Sequence, residues 1–323
     1  LVREADVVVE NFTPGKMEAL GLGYPQLAEV NPRLIYAAIS GYGQTGPMRA
    51  KPALDVIVQG AGGVMSVTGY PGGDPARPGL SLGDIAAGLY CAIGILAALR
   101  EREQSGLGQM LDVSMLDCQI AIQENAYMRY HLTGEEPVRL GTRHPTAVPF
   151  QAFRTSDGWM VLALAWGVPN QWALLCAEMG VPELIDDERF HSSAARTRNH
   201  AELEPLLQSV FLGRTTAEWV AGIEPFGIPC GPLNTIPQAA ALDQVAAREM
   251  LVDVPHKTFG AVRLPNSPLK LSRTPAGARG TSPDMGEHSR EVLDELLGLD
   301  EATLQRLIDT QVLWDERPEV DLG

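Results

Sequence analysis

Apolar residues follow two rhythms along the chain. Short, nearly unbroken runs rich in Val, Ile and Leu (ADVVVE at 5–10, LIYAAIS at 34–40, QMLDVS at 109–114) read as strands. The stretches between them predict helices over 16–20, 24–30, 85–103 and 115–131. Strands alternating with helices, with few polar residues inside the strands, imply an α/β fold whose parallel sheet is covered on both faces. Near residue 135 the texture changes. GEEPVRLGTRHPTAVPF mixes Gly, Pro and charge without a period and reads as a crossing linker. Beyond it, FRTSDGWMVLALA at 153–165 predicts a hairpin turning at Ser156-Asp157-Gly158. Helices follow over 169–179, 201–211 and 215–223, and FGIPCGPLNT reads as loop and strand. Another change near Asp253 brings a strand and loop over 259–272, then a closing pair of amphipathic helices, SREVLDELLG and EATLQRLIDT.

Composition narrows the function. A chain of 323 residues suggests two domains, and 45% hydrophobic residues can fill a large core. A net charge of −15 argues against non-specific nucleic-acid binding, which needs a basic face. It leaves open a local anion site built from helix N-termini and backbone amides. Cys91, Cys118, Cys176 and Cys230 lie far apart, with no CxxC pair and no nearby histidine cluster. Neither a metal nor a disulfide is expected, only reduced thiols in a cytoplasmic protein. No signal peptide is visible, and the longest apolar run, 85–99, is short for a bilayer and broken by Gly88 and Gly94, so no membrane partner is expected. The chain starts at Leu1, without an initiator Met, and enters a strand within a few residues; the expectation is a fragment lacking N-terminal elements.

Three motifs compete for the chemistry. GYGQTG at 41–46 fits the dinucleotide pattern after a strand, but Pro47 follows and MRAKPALD does not open a helix, so a glycine-rich loop is the better reading. His131, His144, His191, His200, His256 and His288 are scattered, with no nucleophile-elbow or HExxH context. Asp84 is different. It stands at the mouth of an almost wholly apolar helix, behind Gly83. Aspartate is a favoured N-cap, and a cap alone would explain it. A helix apolar all round should be buried, however, so its N-terminus should lie inside the protein. Amides and the positive end of the dipole would there keep the carboxylate ionised, as a nucleophile towards an activated acyl group.

The stretch GDIAAGLYCAIGILAALREREQSGLGQMLDVSMLD closely resembles the core of family III CoA-transferases. VVVENFTPGKMEALGL, LIYAAISGYGQTGP, VQGAGGVMSVTG and PDMGEHSREVLDELLGL resemble other family segments, in order. The resemblance implies that Asp84 is the catalytic nucleophile and that Asn11, Phe12 and Thr13 help hold coenzyme A. Lys51 and Asp55, in KPALD, match another coenzyme-contacting stretch. A family arginine expected in the first short helix is replaced by Ala19.

The implied activity is transfer of coenzyme A from an acyl-CoA donor to a carboxylic acid through an acyl-aspartyl anhydride and an aspartyl-CoA thioester, with acyl-CoA as substrate, no permanent cofactor and no metal. Glycines 60, 62 and 63 would offer N–H donors to the oxyanion, or simply allow tight packing. A 2-methylacyl-CoA racemase of the same fold is the alternative; it needs a histidine where this chain has Leu54. An inactive truncated member is a third reading. The resemblance also implies an interlocked homodimer. Its layout is a doubly wound, mostly parallel large domain over 1–135, a linker and smaller α+β domain over 136–250, and a return to the large domain over 251–323. Arg143 and His144 in the linker are candidates to contact a carboxylate, or ordinary surface residues.

Overall fold

A computed structural model of the protein describes residues 1–164 and 168–314, the side chain of Glu124 aside. The last residue of the expected hairpin, Ala165, and the tail of the 251–323 segment lie outside the described residues. Contacts divide the chain into two compact units, residues 2–232 and residue 233 onwards.

The first unit opens with a parallel sheet ordered β1 (Val7–Glu10), β2 (Ile35–Ser40), β3 (Met110–Ser114). The register pairs Val7 with Ile35 and Tyr36 with Met110. α1 (Lys16–Ala19) and α2 (Tyr24–Val30) join the first two strands. Side chains alternate along β2. Tyr36 and Ala38 pack on Leu27 of α2, whereas Ala37 faces the opposite layer. That layer holds α3 (Asp55–Ala61), α4 (Val64–Val67), α5 (Leu82–Ser105), α6 (Met115–Ala121) and α7 (Glu124–Thr133). The buried central strand is as its apolar sequence predicts.

Two corrections concern α5. It is not buried all round: Gly83, Ala86, Ala87, Cys91 and Ala98 face inward, while Ile85, Leu89, Ile93 and Leu96 form an exposed stripe. The inner face is made of small residues because the helix lies close to the sheet; a Cβ on Gly94 would come within 2.6 Å of Leu111. Nor is its apolar stretch too short: α5 is the one helix among the described residues long and apolar enough to cross a membrane. Its packing on β2, β3, α3 and α6 ties it to the globular unit.

The helix expected over 115–131 breaks at 122–123. The Gln123 side chain donates to the carbonyls of Gln119 (2.8 Å) and Gly62 (2.7 Å), while its backbone N–H turns to Ile120. α3 and α4 were not predicted, because a run with five glycines from 60 to 72 carries a weak helical signal.

Past the linker, β4 (Phe150–Arg154), β5 (Trp159–Ala163) and β6 (Cys230–Pro232) form an antiparallel sheet. It packs with α8 (Gln171–Met179), α9 (Ser193–Arg198), α10 (His200–Phe211) and α11 (Thr216–Ile223) around a core of Phe153, Phe190, Phe211, Trp172 and Trp219. The second unit holds α12 (Ile236–Ala240), α13 (Asp243–Ala247), the hairpin β7 (Leu251–His256)–β8 (Gly260–Pro265), α14 (Ser289–Leu297) and α15 (Glu301–Asp309). β7 was missed because Asp253 and Pro255 disguise it; Asp253 is paired across the hairpin with Arg263 at 2.8 Å.

Candidate active site

Asp84 lies in the first turn of α5, two residues past the first helical position, and is not the N-cap. Ser81 holds that place without a side-chain capping bond, its Oγ accepting instead from Arg77 Nη2 at 3.3 Å, and no capping bond from Asp84 occurs among the described residues. Helix capping therefore leaves the Asp84 carboxylate unexplained, and the residue is exposed to a cleft of about 430 Å³. The same cleft is lined by Asn11, Phe12, Thr13, Lys51 and Asp55. Six residues chosen from segments up to 73 positions apart thus meet in one place, where the C-terminal ends of β1 and β2 face the start of α5. Ligands of parallel α/β sheets gather at such strand ends.

The local structure explains how each is held. Asn11 and Phe12 follow β1, and the Phe12 N–H donates to Glu10 Oε2 at 2.7 Å, which fixes the turn. Glu10 is buried, and that burial raises its pKa against the lowering effect of the Phe12 bond. The GYGQTG loop is anchored by protein rather than built for a phosphate. Gln44 N–H donates to both Asp112 oxygens (3.1 and 3.0 Å), and the next helix begins only at Asp55. Gly60, Gly62 and Gly63 do not line the cleft. Gly62 N–H is taken by Val58 (2.8 Å) and Gly63 N–H by Gly60 (3.3 Å), and only Gly62, where a Cβ would stand 2.9 Å from Gln119, fits the packing reading.

Asp55 lines the cleft, but its oxygens are turned to other work. Oδ1 accepts from Gly83 N–H at 2.8 Å; Oδ2 accepts from Gln59 Nε2 at 2.8 Å and from Arg77 Nη2 at 3.0 Å. The carboxylate thereby ties the first turn of α5, and Asp84 with it, to α3. Gly83 permits this approach, since a Cβ there would stand 2.9 Å from Val58 and 3.1 Å from both Asp55 Oδ1 and Gln119 Nε2. Burial acts to raise the Asp55 pKa, but the bonds from Gln59, Gly83 and Arg77 outweigh it and hold the group below its ordinary value. Asp84 moves the other way. Desolvation by the cleft walls raises its pKa, the Asp55 charge adds to the rise, and Arg77 opposes both. Helix dipole and amides therefore do not dominate as expected, and the group is the more basic of the two carboxylates. A raised pKa makes a carboxylate a better nucleophile once ionised.

Arg77 and Glu10 were missed. Arg77 sits in an aperiodic Pro- and Gly-rich loop with no sequence signal, whereas Glu10, the polar residue that ends β1, offered a signal that was passed over. Ala19, which stands where an arginine was expected, is exposed on α1. Leu54 is 72% exposed and lines the cleft beside Asp55. Among the described residues no group of His, Cys, Asp or Glu is placed to hold a metal ion.

Comparison with known proteins identifies the family. The model of CoA-transferase family III matches residues 1–289. An acyl-CoA transferase of Fusarium pseudograminearum is 40% identical over 302 residues, covering 93% of this chain and 66% of that protein. A succinyl-CoA:glutarate CoA-transferase of Mus musculus is 35% identical over 308 residues, covering 95% of this chain and 70% of its own. The chain spans about two thirds of the length of these curated relatives. The crystal structure of a CAIB/BAIF family protein from Brucella suis superposes with a TM-score of 0.79 at 36% identity, over 91% of this chain and 76% of that one.

Proposed function

The chain belongs to CoA-transferase family III, and from that membership we propose that it moves coenzyme A from an acyl-CoA donor to a carboxylic acid, with Asp84 as the nucleophile. The observation that carries the reading is the single cleft in which Asn11, Phe12, Thr13, Lys51 and Asp55 surround the Asp84 carboxylate. An Asp84 oxygen attacks the thioester carbonyl of the donor. The C–S bond breaks, coenzyme A leaves as thiolate and an acyl-aspartyl anhydride remains. The thiolate attacks the aspartyl carbonyl, expelling the donor acid as carboxylate and leaving an aspartyl-CoA thioester. The acceptor carboxylate repeats the sequence in reverse: it forms a second anhydride with release of thiolate, which then attacks the acceptor carbonyl and frees Asp84. Each step exchanges one activated acyl bond for another, so the thioester's free energy is conserved. Dividing the exchange into covalent steps is what a nucleophile contributes.

Leu54, at the cleft position where a racemase would need its second base, cannot carry a proton. The reading extends to a homodimer of the interlocked, doubly wound type, supported by the exposed apolar stripe of α5, which a second copy would cover. The mouse relative's substrates make succinyl-CoA and glutarate the first pair to assay. Formation of glutaryl-CoA, followed by chromatography, should fall by about a thousandfold or more in Asp84→Ala. An Asp84→Ala protein that transfers at the wild-type rate would overturn the assignment.

A further inference from the structure

The end of β2 carries a hydroxyl that the fold does not use. Ser40 and Ser114 close β2 and β3, opposite each other in the parallel register, and both are buried. Ser114 Oγ accepts the Asp117 N–H at 3.1 Å and so caps α6. Ser40 Oγ, on a residue 7% exposed, has no hydrogen-bond partner among the described residues. Burying a hydroxyl without a partner costs about 1–3 kcal/mol. Packing alone would be served as well by alanine, which β2 uses at positions 37 and 38.

The other buried side chains with an unpartnered polar atom among the described residues are Gln44, Gln59, Gln119 and Arg139, and none of them lines the Asp84 cleft. Ser40 does, between Ile39 and Gly41. A turn about χ1 from one staggered well to another re-aims its hydroxyl while the backbone stays paired to β3.

Position and chemistry select the part of the ligand it meets. By alternation Ser40 falls with Tyr36 and Ala38 on the α2 side of β2, whereas α5, which carries Asp84, packs on the other side. That sets Ser40 away from the reacting thioester carbonyl and along the ligand's path. A neutral hydroxyl beside apolar Ile39, Ala53 and Met115 suits a neutral polar group, whereas phosphates are matched by the exposed ammonium of Lys51. The pantetheine arm of coenzyme A, which joins the phosphates to the thiol, offers two amides. Each has a carbonyl that accepts and an N–H that donates, and a serine hydroxyl can answer either.

We propose that the Ser40 hydroxyl hydrogen-bonds an amide of the pantetheine arm. The assignment rests on the transfer reading for the identity of the ligand, but needs no acylation of Asp84.

Titration calorimetry of the full chain tests it with free coenzyme A and with adenosine 3′,5′-bisphosphate, which keeps the nucleotide and lacks the arm. The wild type should bind both. Ser40→Ala should weaken coenzyme A binding about three- to tenfold, the worth of one neutral hydrogen bond, and leave bisphosphate binding unchanged. Unchanged coenzyme A affinity in Ser40→Ala, an equal loss for the bisphosphate, or a wild type that binds no coenzyme A would overturn the proposal. Acylation is no part of this readout, so a chain that shows the expected pattern yet fails to transfer would support the Ser40 contact and sink the transfer reading. Thermal unfolding without ligand separates lost binding from lost fold. Should Ser40→Ala misfold, Ser40→Cys, close in size and a weaker donor, should show a smaller loss confined to coenzyme A.

Discussion

Residues 148–228 and residues 27–118 bury apolar surface in opposite ways. The first region turns its largest side chains inward. Phe153, Phe190, Phe211 and Trp219 are all at most 1% exposed, and Trp219 also donates its indole N–H to the Phe211 carbonyl at 2.8 Å. The second presents mainly alanine and cysteine on the inner face of α5 and leaves Leu89 and Ile93 of that helix each 62% exposed. One region closes its own core, while in the other α5 keeps its largest aliphatic side chains on an outer face. The candidate active site belongs to the second, at the N-terminal end of the helix that carries the open stripe. Small inner residues let α5 approach the sheet closely, which brings Asp84 beside the strand ends, and the larger side chains of the helix face outward.

The contrast can be broken most forcefully from the closed side. Trp219→Ala should cost about 3–5 kcal/mol, the range for deleting a buried aromatic, read by denaturant unfolding of the full chain. Leu96→Ala, at a position 66% exposed on the stripe, should stay within about 0.5 kcal/mol. Equal costs would mean that α5 is packed as tightly as the aromatic core. The open side is tested by Leu89→Glu with Ile93→Glu. Two charges on the stripe should convert a dimer into monomers by light scattering while leaving the circular dichroism of each chain unchanged. A dimer that persists would show that the stripe is not its contact.

The smallest effect concerns the electrostatics of the cleft. Asp84 must be ionised to attack, and its pKa is raised, so activity should fall as pH drops through a value above the group's ordinary 3.8. Asp55→Asn removes a charge that raises Asp84 and should move this limb to lower pH. Arg77→Met removes the opposing charge and should move it to higher pH. Each shift should be up to about one unit, the usual spread for carboxylates in folded proteins. A role for Asp55 and Arg77 in holding the first turn of α5 alone would lower the rate without moving the limb in opposite directions. The same pair contributes to stability with the other sign. Asp55 lies below its ordinary value of 3.8 when folded, so its contribution is complete above that pH and is lost as pH falls through the depressed native value.

Much of this architecture was legible in the chain. α2 and the buried central strand follow directly from periodicity, because Leu27 and the run at 34–40 carry unmixed signals. Asp84 was marked by its place before an apolar helix, and Asn11 and Phe12 by the resemblance of VVVENFTPGKMEALGL to a family segment. The exposed stripe of α5 was not legible, because apolar residues on every face hide which face is covered. The role of Asp55 was hidden too. Its bonds to Gly83 and Arg77 span 28 and 22 residues and pass through a loop without periodicity. α3 escaped notice because its helical turns run into consecutive glycines, and β7 because proline and aspartate sit inside it.

The central claim is that Asp84 becomes covalently acylated. Intact-protein mass spectrometry after incubation with succinyl-CoA, with hydroxylamine trapping and peptide mapping, reads this directly. The account predicts an adduct on the wild-type chain that maps to residue 84 as a hydroxamate and is absent from Asp84→Ala. A folded wild-type chain that turns over succinyl-CoA with no adduct, or an adduct that survives in Asp84→Ala, would contradict it.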